Sequence, residues 1–136
     1  MIFLTRRERF NSAHKLFRDE WSDEKNEEVF GKCANKNWHG HNYELFVTVK
    51  GEINEETGFV IDLKQLSVIL QNKVTDVLDH KNLNLDVPFL KGKMASTEVL
   101  AVSIWREIEE DVKVLGATLH SIKLKETENN FIEYFG

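Results

Sequence analysis

Residues 41–50 read His-Asn-Tyr-Glu-Leu-Phe-Val-Thr-Val-Lys. Successive side chains of an extended chain point to opposite faces. Tyr43, Leu45, Val47 and Val49 therefore share one face, and Glu44, Phe46, Thr48 and Lys50 share the other, which predicts a strand lying against a core. Ile2–His14 begins with Ile2, Phe3, Leu4 and Thr5 and predicts a strand before it. Thr118–Glu126 alternates again, with Leu119 on one face and Ile122 and Leu124 on the other. Phe131–Phe135 follows the turn Glu128-Asn129-Asn130 as a last strand. Between the strand pairs the period changes. Asp62 can cap a helix, Gln65 three residues on makes a partial capping box, and Leu63, Leu66, Ile69, Leu70, Val74 and Val77 recur at helical spacing. Ser96 or Thr97 caps a second helix that carries Val99, Leu100, Val102, Trp105 and Ile108 and ends before Gly116. Residues 15–37, Gly51–Gly58 and Asp79–Ala95 predict loops. The order ββααββ predicts an α+β fold, a four-stranded antiparallel sheet with two helices on one face. The opposite face, where Phe46 lies, has no helix to cover it, so a homo-oligomer is expected.

With 136 residues the chain predicts one domain, 1–136. Its longest apolar runs, Met1–Leu4 and Val99–Val102, are four residues, against roughly 20 for a membrane helix, so no membrane partner is expected. Arg6 and Arg7 come too early for a secretory leader, and a single cysteine, Cys33, cannot pair within the chain. Both point to a reducing, cytoplasmic setting. The net charge is −5, from 18 basic and 23 acidic residues, which argues against nucleic acid. That excess has an address. Residues 19–28 carry six acids and one lysine, so the rest of the chain has 23 − 6 = 17 acids against 18 − 1 = 17 bases. The whole-chain charge therefore does not exclude a small anionic ligand.

The five histidines are at 14, 39, 41, 80 and 120. His39-Gly40-His41 opens a strand, where i and i+2 share a face, so the two imidazoles are either a metal pair or two surface histidines. Gly40 between them removes a side chain that could crowd such a site. His14, ending the first strand, can add a third nitrogen. Three histidines leave a tetrahedral position open, the arrangement of a catalytic zinc rather than a structural one. Cys33 can be a fourth ligand, a thiolate beside the metal, or a small buried apolar residue. Asp79-His80 can be a tuned acid–base pair or a histidine at a helix C-terminus interacting with its dipole. Adjacent residues do not easily share one hydrogen bond, so a relay needs helix-end geometry or a water. His120 matches no pattern and reads as structural. Glu126, near a strand end, can accept two parallel hydrogen bonds from a planar N–C–N edge such as that of a pterin or guanine.

Phe10-Asn11-Ser12-Ala13-His14, Phe30-Gly31-Lys32-Cys33, His39-Gly40-His41-Asn42-Tyr43, Thr57-Gly58 with Asp62-Leu63, Leu78-Asp79-His80-Lys81-Asn82-Leu83, Ser96-Thr97-Glu98 and Glu126-Thr127-Glu128-Asn129-Asn130 stand in one order along nearly the whole chain. In that order and spacing they resemble the 6-pyruvoyl-tetrahydropterin synthase family. The resemblance implies the tunnelling fold, with trimers whose sheets join into a barrel and stack as hexamers. It implies Zn2+ on His14, His39 and His41. It implies Cys33 as the proton-abstracting thiolate, and Asp79 and His80 as its partner dyad, donated by a neighbouring subunit. Glu126 would anchor the pterin ring, with Thr97 and Glu98 nearby.

The substrate implied is 7,8-dihydroneopterin triphosphate, converted to 6-pyruvoyl-tetrahydropterin with elimination of triphosphate. The alternative on the same scaffold is 6-carboxytetrahydropterin synthase of queuosine biosynthesis, which releases acetaldehyde. A remoter one is a non-catalytic pterin- or zinc-binding module. Five residues separate Cys33 from His39, as in the animal pyruvoyl-forming enzymes, which favours the first reading. Ala34, Lys36 and Trp38 depart from those enzymes, which usually have Asn, Pro and Gly there. Lys15, Lys36 and Lys81 flank the motif residues and are candidates for the triphosphate.

Overall fold

A computed structural model describes all residues, 1–136. Its elements are β1 (Ile2–His14), α1 (Asp23–Phe30), β2 (His39–Gly51), α2 (Leu63–Leu70), α3 (Asp76–Leu78), β3 (Lys81–Asn82), α4 (Thr97–Val114), β4 (Thr118–Lys125) and β5 (Phe131–Tyr134). They form the α+β fold expected, but the sheet has five strands, not four. Its order is β3-β1-β2-β4-β5, and it is mixed: β3 runs parallel to β1, and the other pairs are antiparallel. Two residues carry no periodicity, which is why β3 falls inside a predicted loop.

The alternation of β2 does what its pattern demands. Tyr43, Leu45, Val47 and Val49 are fully buried. With Leu66, Leu70, Val74, Leu78, Leu100, Ile104, Ile108, Ile122 and Leu124 they belong to one core cluster between the sheet and α2–α4. Each such side chain contributes roughly 1.5–3 kcal/mol on burial. Asp62 caps α2, accepting from the Lys64 amide at 2.8 Å. A π turn over Gln71–Thr75 follows α2 and leads into α3, so the helical pattern that runs on to Val77 is one helix in sequence and two in the structure. No helix is long and apolar enough to cross a membrane.

Two other expectations change. Leu119 does not face away from Ile122 and Leu124; all three are buried. The β2–β4 register explains it, because Ser121 lies across from Thr48 while Leu119 lies across from Val49. His120 is the extra residue of a β-bulge, and it returns Leu119 to the core face. Its ring sits edge-on to Phe3 and Phe135 instead. Residues 15–37 contain α1 and a 3-10 turn at Gly31–Ala34. What orders them is polar. The buried Asn26 amide accepts from the Arg18 amide at 2.8 Å and donates to the carbonyls of Arg18 and Ser22 at 3.0 and 3.1 Å. The acidic run caps this helix: the Ser22 hydroxyl accepts from the Lys25 amide, and Asp23 and Glu24 occupy the first turn, where they complement the helix dipole.

Deleting His120 removes the bulge and leaves a regular ladder in which Ser121 still lies across from Thr48 and Leu119 across from Val49, so Leu119 keeps the core face. The deletion and His120→Ala should each cost about 1 kcal/mol or less, since both lose only the ring's contacts with Phe3 and Phe135. Chemical denaturation of the two variants checks this; a deletion that costs more than ~2 kcal/mol, the burial of one leucine, would mean that Leu119 leaves the core when the bulge goes.

Candidate active site

β1 and β2 pair over their full length, with Ser12 across from His41 and His14 across from His39. Even-numbered positions of β1 and odd-numbered positions of β2 face the helices, so His14, His39 and His41 converge at one end of the core face. Their ring centroids are 4.5, 4.9 and 5.1 Å apart. One ring nitrogen of each can lie within 4.8 Å of the others. His14 Nδ1 is 2.7 Å from the Ala95 carbonyl. A carbonyl only accepts, so Nδ1 carries the proton and Nε2 keeps its lone pair.

His14 Nε2, His39 Nδ1 and His41 Nε2 are buried without a partner. Buried polar atoms are nearly always satisfied, so three such nitrogens on one face fit a metal ion. Burial is the first cause lowering all three imidazoles from the ordinary 6.5. For His39 the neighbouring His14 adds to it, and for His41 the Glu126 carboxylate opposes it. Neutral rings are what coordination requires. Gly40 points to the opposite face, where an added Cβ would lie 3.4 Å from the Ser12 carbonyl oxygen. The expected role for Gly40, clearing the metal site, is therefore not the one it has.

Beside the cluster lies a cleft of about 470 Å³, lined by His14, Cys33, Thr97, Glu98 and Glu126 among others. Each reaches it from a different element. Cys33 comes from the 3-10 turn, held by a 2.8 Å bond from the Leu16 amide to the Cys33 carbonyl. Thr97 and Glu98 open α4 behind the Ser96 cap. Glu126 follows β4, its amide donating to the Asn130 carbonyl at 3.0 Å. The Thr97 hydroxyl donates to Glu126 Oε2, and Glu126 Oε1 stands 3.6 Å from His41 Nε2. Burial, with the Glu126 carboxylate next, pushes the Cys33 thiol up.

Asp79 and His80 lie elsewhere. They sit outside β1, where Asn11 receives both of them: its amide donates to Asp79 Oδ1 at 2.8 Å, and its carbonyl accepts from the His80 amide at 2.6 Å. Asp79 lines a different cavity, with Asn42, Glu44 and Glu128. The two residues do share one direct hydrogen bond, 2.7 Å from His80 Nδ1 to Asp79 Oδ2, so no water is needed. His80 has φ +59°, the left-handed geometry expected at a helix end. The Asn11 amide first, and His80 second, hold the Asp79 carboxyl below its ordinary range. An ionised Asp79 accepts from Nδ1 and leaves Nε2 as the exchanging nitrogen.

Lys15 and Lys36 line one cavity with Arg18, which Asp19, Asp23 and Glu27 balance in charge. Lys81 is in β3, apart from them. Trp38, directly before His39, has φ +66°. A non-glycine residue there costs of order 1–3 kcal/mol. Its ring is edge-on to Phe17 at 6.5 Å.

The family model described as 6-pyruvoyl tetrahydropterin synthase matches residues 3–136. A protein named 6-pyruvoyl tetrahydrobiopterin synthase from Dictyostelium discoideum is 46% identical over 135 residues, covering 99% of this chain and 96% of its own. One of the same name from Pongo abelii is 42% identical over 133 residues, covering 98% and 90%. The structure of Caenorhabditis elegans 6-pyruvoyl tetrahydropterin synthase superposes with a TM-score of 0.91 at 34% identity, covering 99% of this chain and 95% of that one.

The histidine cluster should bind about one metal ion per chain, and His14→Ala should abolish it; elemental analysis of untagged protein reads both. The cluster also sets a pH dependence. Each folded imidazole titrates below the ordinary 6.5, so the unfolded chain binds more protons as the pH falls. Stability of the metal-free protein is full above that value and is lost as the pH drops through the folded values. Its Tm should fall between about pH 7 and about pH 5, and His14→Gln should flatten the slope. A wild-type Tm independent of pH over that range would contradict the burial argument.

Proposed function

The chain belongs to the 6-pyruvoyl tetrahydropterin synthase family, and on that premise we propose that it converts 7,8-dihydroneopterin triphosphate to 6-pyruvoyl-tetrahydropterin and triphosphate. The observation that carries the proposal is a cleft lined by a thiol and a carboxylate that borders, at His14, a cluster of three unpartnered imidazole nitrogens. His14, His39 and His41 would hold a zinc ion, which when bound polarises the side-chain hydroxyls and acidifies the neighbouring C–H and O–H protons.

The residues divide the remaining work. The Glu126 carboxylate, oriented by the Thr97 hydroxyl, accepts the paired N–H groups of the pterin ring, with Glu98 at the same rim. Cys33 Sγ takes the side-chain proton, and the positive charge of an ion held at the imidazoles would oppose the burial that raises the thiol. His80 Nε2, its tautomer fixed by Asp79, returns a proton to the rearranging side chain. Triphosphate departs by elimination, and the side chain redistributes its own electrons, so no external oxidant is consumed.

Within one chain the Asp79–His80 pair faces away from Cys33, and we assign it to the site of a neighbouring copy in a homo-oligomer, a hexamer of two trimers. In β1 only Ser12 and Ala13 pair with β3, so residues 2–10 present a free edge suited to strand pairing. We assign residues 1–136 to one pterin-synthase domain working in the cytoplasm.

Product analysis tests the activity: a pyruvoylpterin is expected, and acetaldehyde with a carboxypterin would replace this reading with that of the sister enzyme. Cys33→Ala should keep the metal and lower kcat by 10²-fold or more; loss of metal in that variant would make Cys33 a ligand. Lys15→Ala and Lys36→Ala should raise KM for the triphosphate without changing metal content, and an unchanged KM removes that lysine from the substrate's path.

A further inference from the structure

Tyr43 has no part in the reading above, yet its hydroxyl is the fourth buried polar atom without a partner, beside the three imidazole nitrogens. The residue is 1% exposed. Its place is set by register. Phe10 lies across from it on β1 and stacks on its ring at 4.9 Å. His41 and His14 flank it edge-on at 5.7 and 6.3 Å. On the other side Glu44 pairs with Lys125, so the next step along both strands brings Glu126 opposite Tyr43. Beyond burial itself, Glu126 and Cys33 are the groups that act on its hydroxyl.

Packing explains a ring at this position but not the oxygen. Phenylalanine would stack on Phe10 equally well and would leave no buried hydroxyl unsatisfied. Inside this chain the hydroxyl has only a cost, so its use is expected from something that enters the site. The imidazoles, both toward the same end of the strand pair, mark which part of a ligand that is, because in the pterin reading they face the hydroxylated side chain while Glu126 faces the ring. We propose that the Tyr43 hydroxyl donates a hydrogen bond to a side-chain oxygen of the pterin substrate and so fixes how that side chain lies beside the imidazoles. The inference rests on the pterin reading of the site.

The test compares zinc-loaded wild type and Tyr43→Phe binding to two probes, neopterin, which carries side-chain hydroxyls, and 6-methylpterin, which does not. Tyr43→Phe should bind neopterin about tenfold more weakly and 6-methylpterin within about twofold of wild type. Metal content should be unchanged, and metal-free Tyr43→Phe should melt above metal-free wild type, since its orphaned hydroxyl is gone. Equal weakening for both probes, or none, overturns the proposal, and so does a lower metal-free Tm, which would mean that the hydroxyl has a structural partner. A wild type that binds neither probe overturns the pterin reading itself, and the proposal with it.

Discussion

The register between β1 and β2 is the constraint on which the rest depends. Thirteen consecutive pairs fix it, from Ile2 across from Gly51 to His14 across from His39. The same alternation that buries Leu45, Val47 and Val49 also aims His39, His41 and Tyr43 at the core face. A slip of one residue would expose the apolar set and scatter the imidazoles together. Burial of the core thus enforces the geometry of the site.

The site works against the stability that the register provides. Four buried polar atoms have no partner in the chain, and burial pushes the thiol away from its reactive form. Each of these is a local loss that an ion held by the imidazoles and a ligand in the cleft would offset. The fold tolerates them because the losses sit at one end of long strands that stay paired to each other along their length and bury Leu45, Val47 and Val49 beyond the site.

Strands and helices long enough to show a period were legible in the sequence. So were the three histidines, because strand spacing and a shared face are visible without coordinates. Structure held by single polar groups was not. Asn26 orders residues 18–26 through its amide, and nothing in an acidic stretch announces one buried asparagine. β3 is two residues long and exists only through Asn11 and Ala13 of a distant strand. The Asp79–His80 bond depends on a left-handed residue that sequence alone does not reveal. Tyr43 was visible, but as one more apolar position of β2; its orphaned hydroxyl emerges only when every buried polar atom is accounted for.

The bulge at His120 separates two properties that usually travel together. The identity of this residue matters little to the core, since its ring lies on the outer face against Phe3 and Phe135. Nor does its presence set the facing of β4: it pairs with no residue of β2, so Ser121 and Leu119 keep Thr48 and Val49 as partners with or without it. As the gene drifts, this codon can change its meaning or disappear and still leave Leu119 and Ile122 on one layer, so the length of a strand and the face it presents, locked together elsewhere, are inherited apart here.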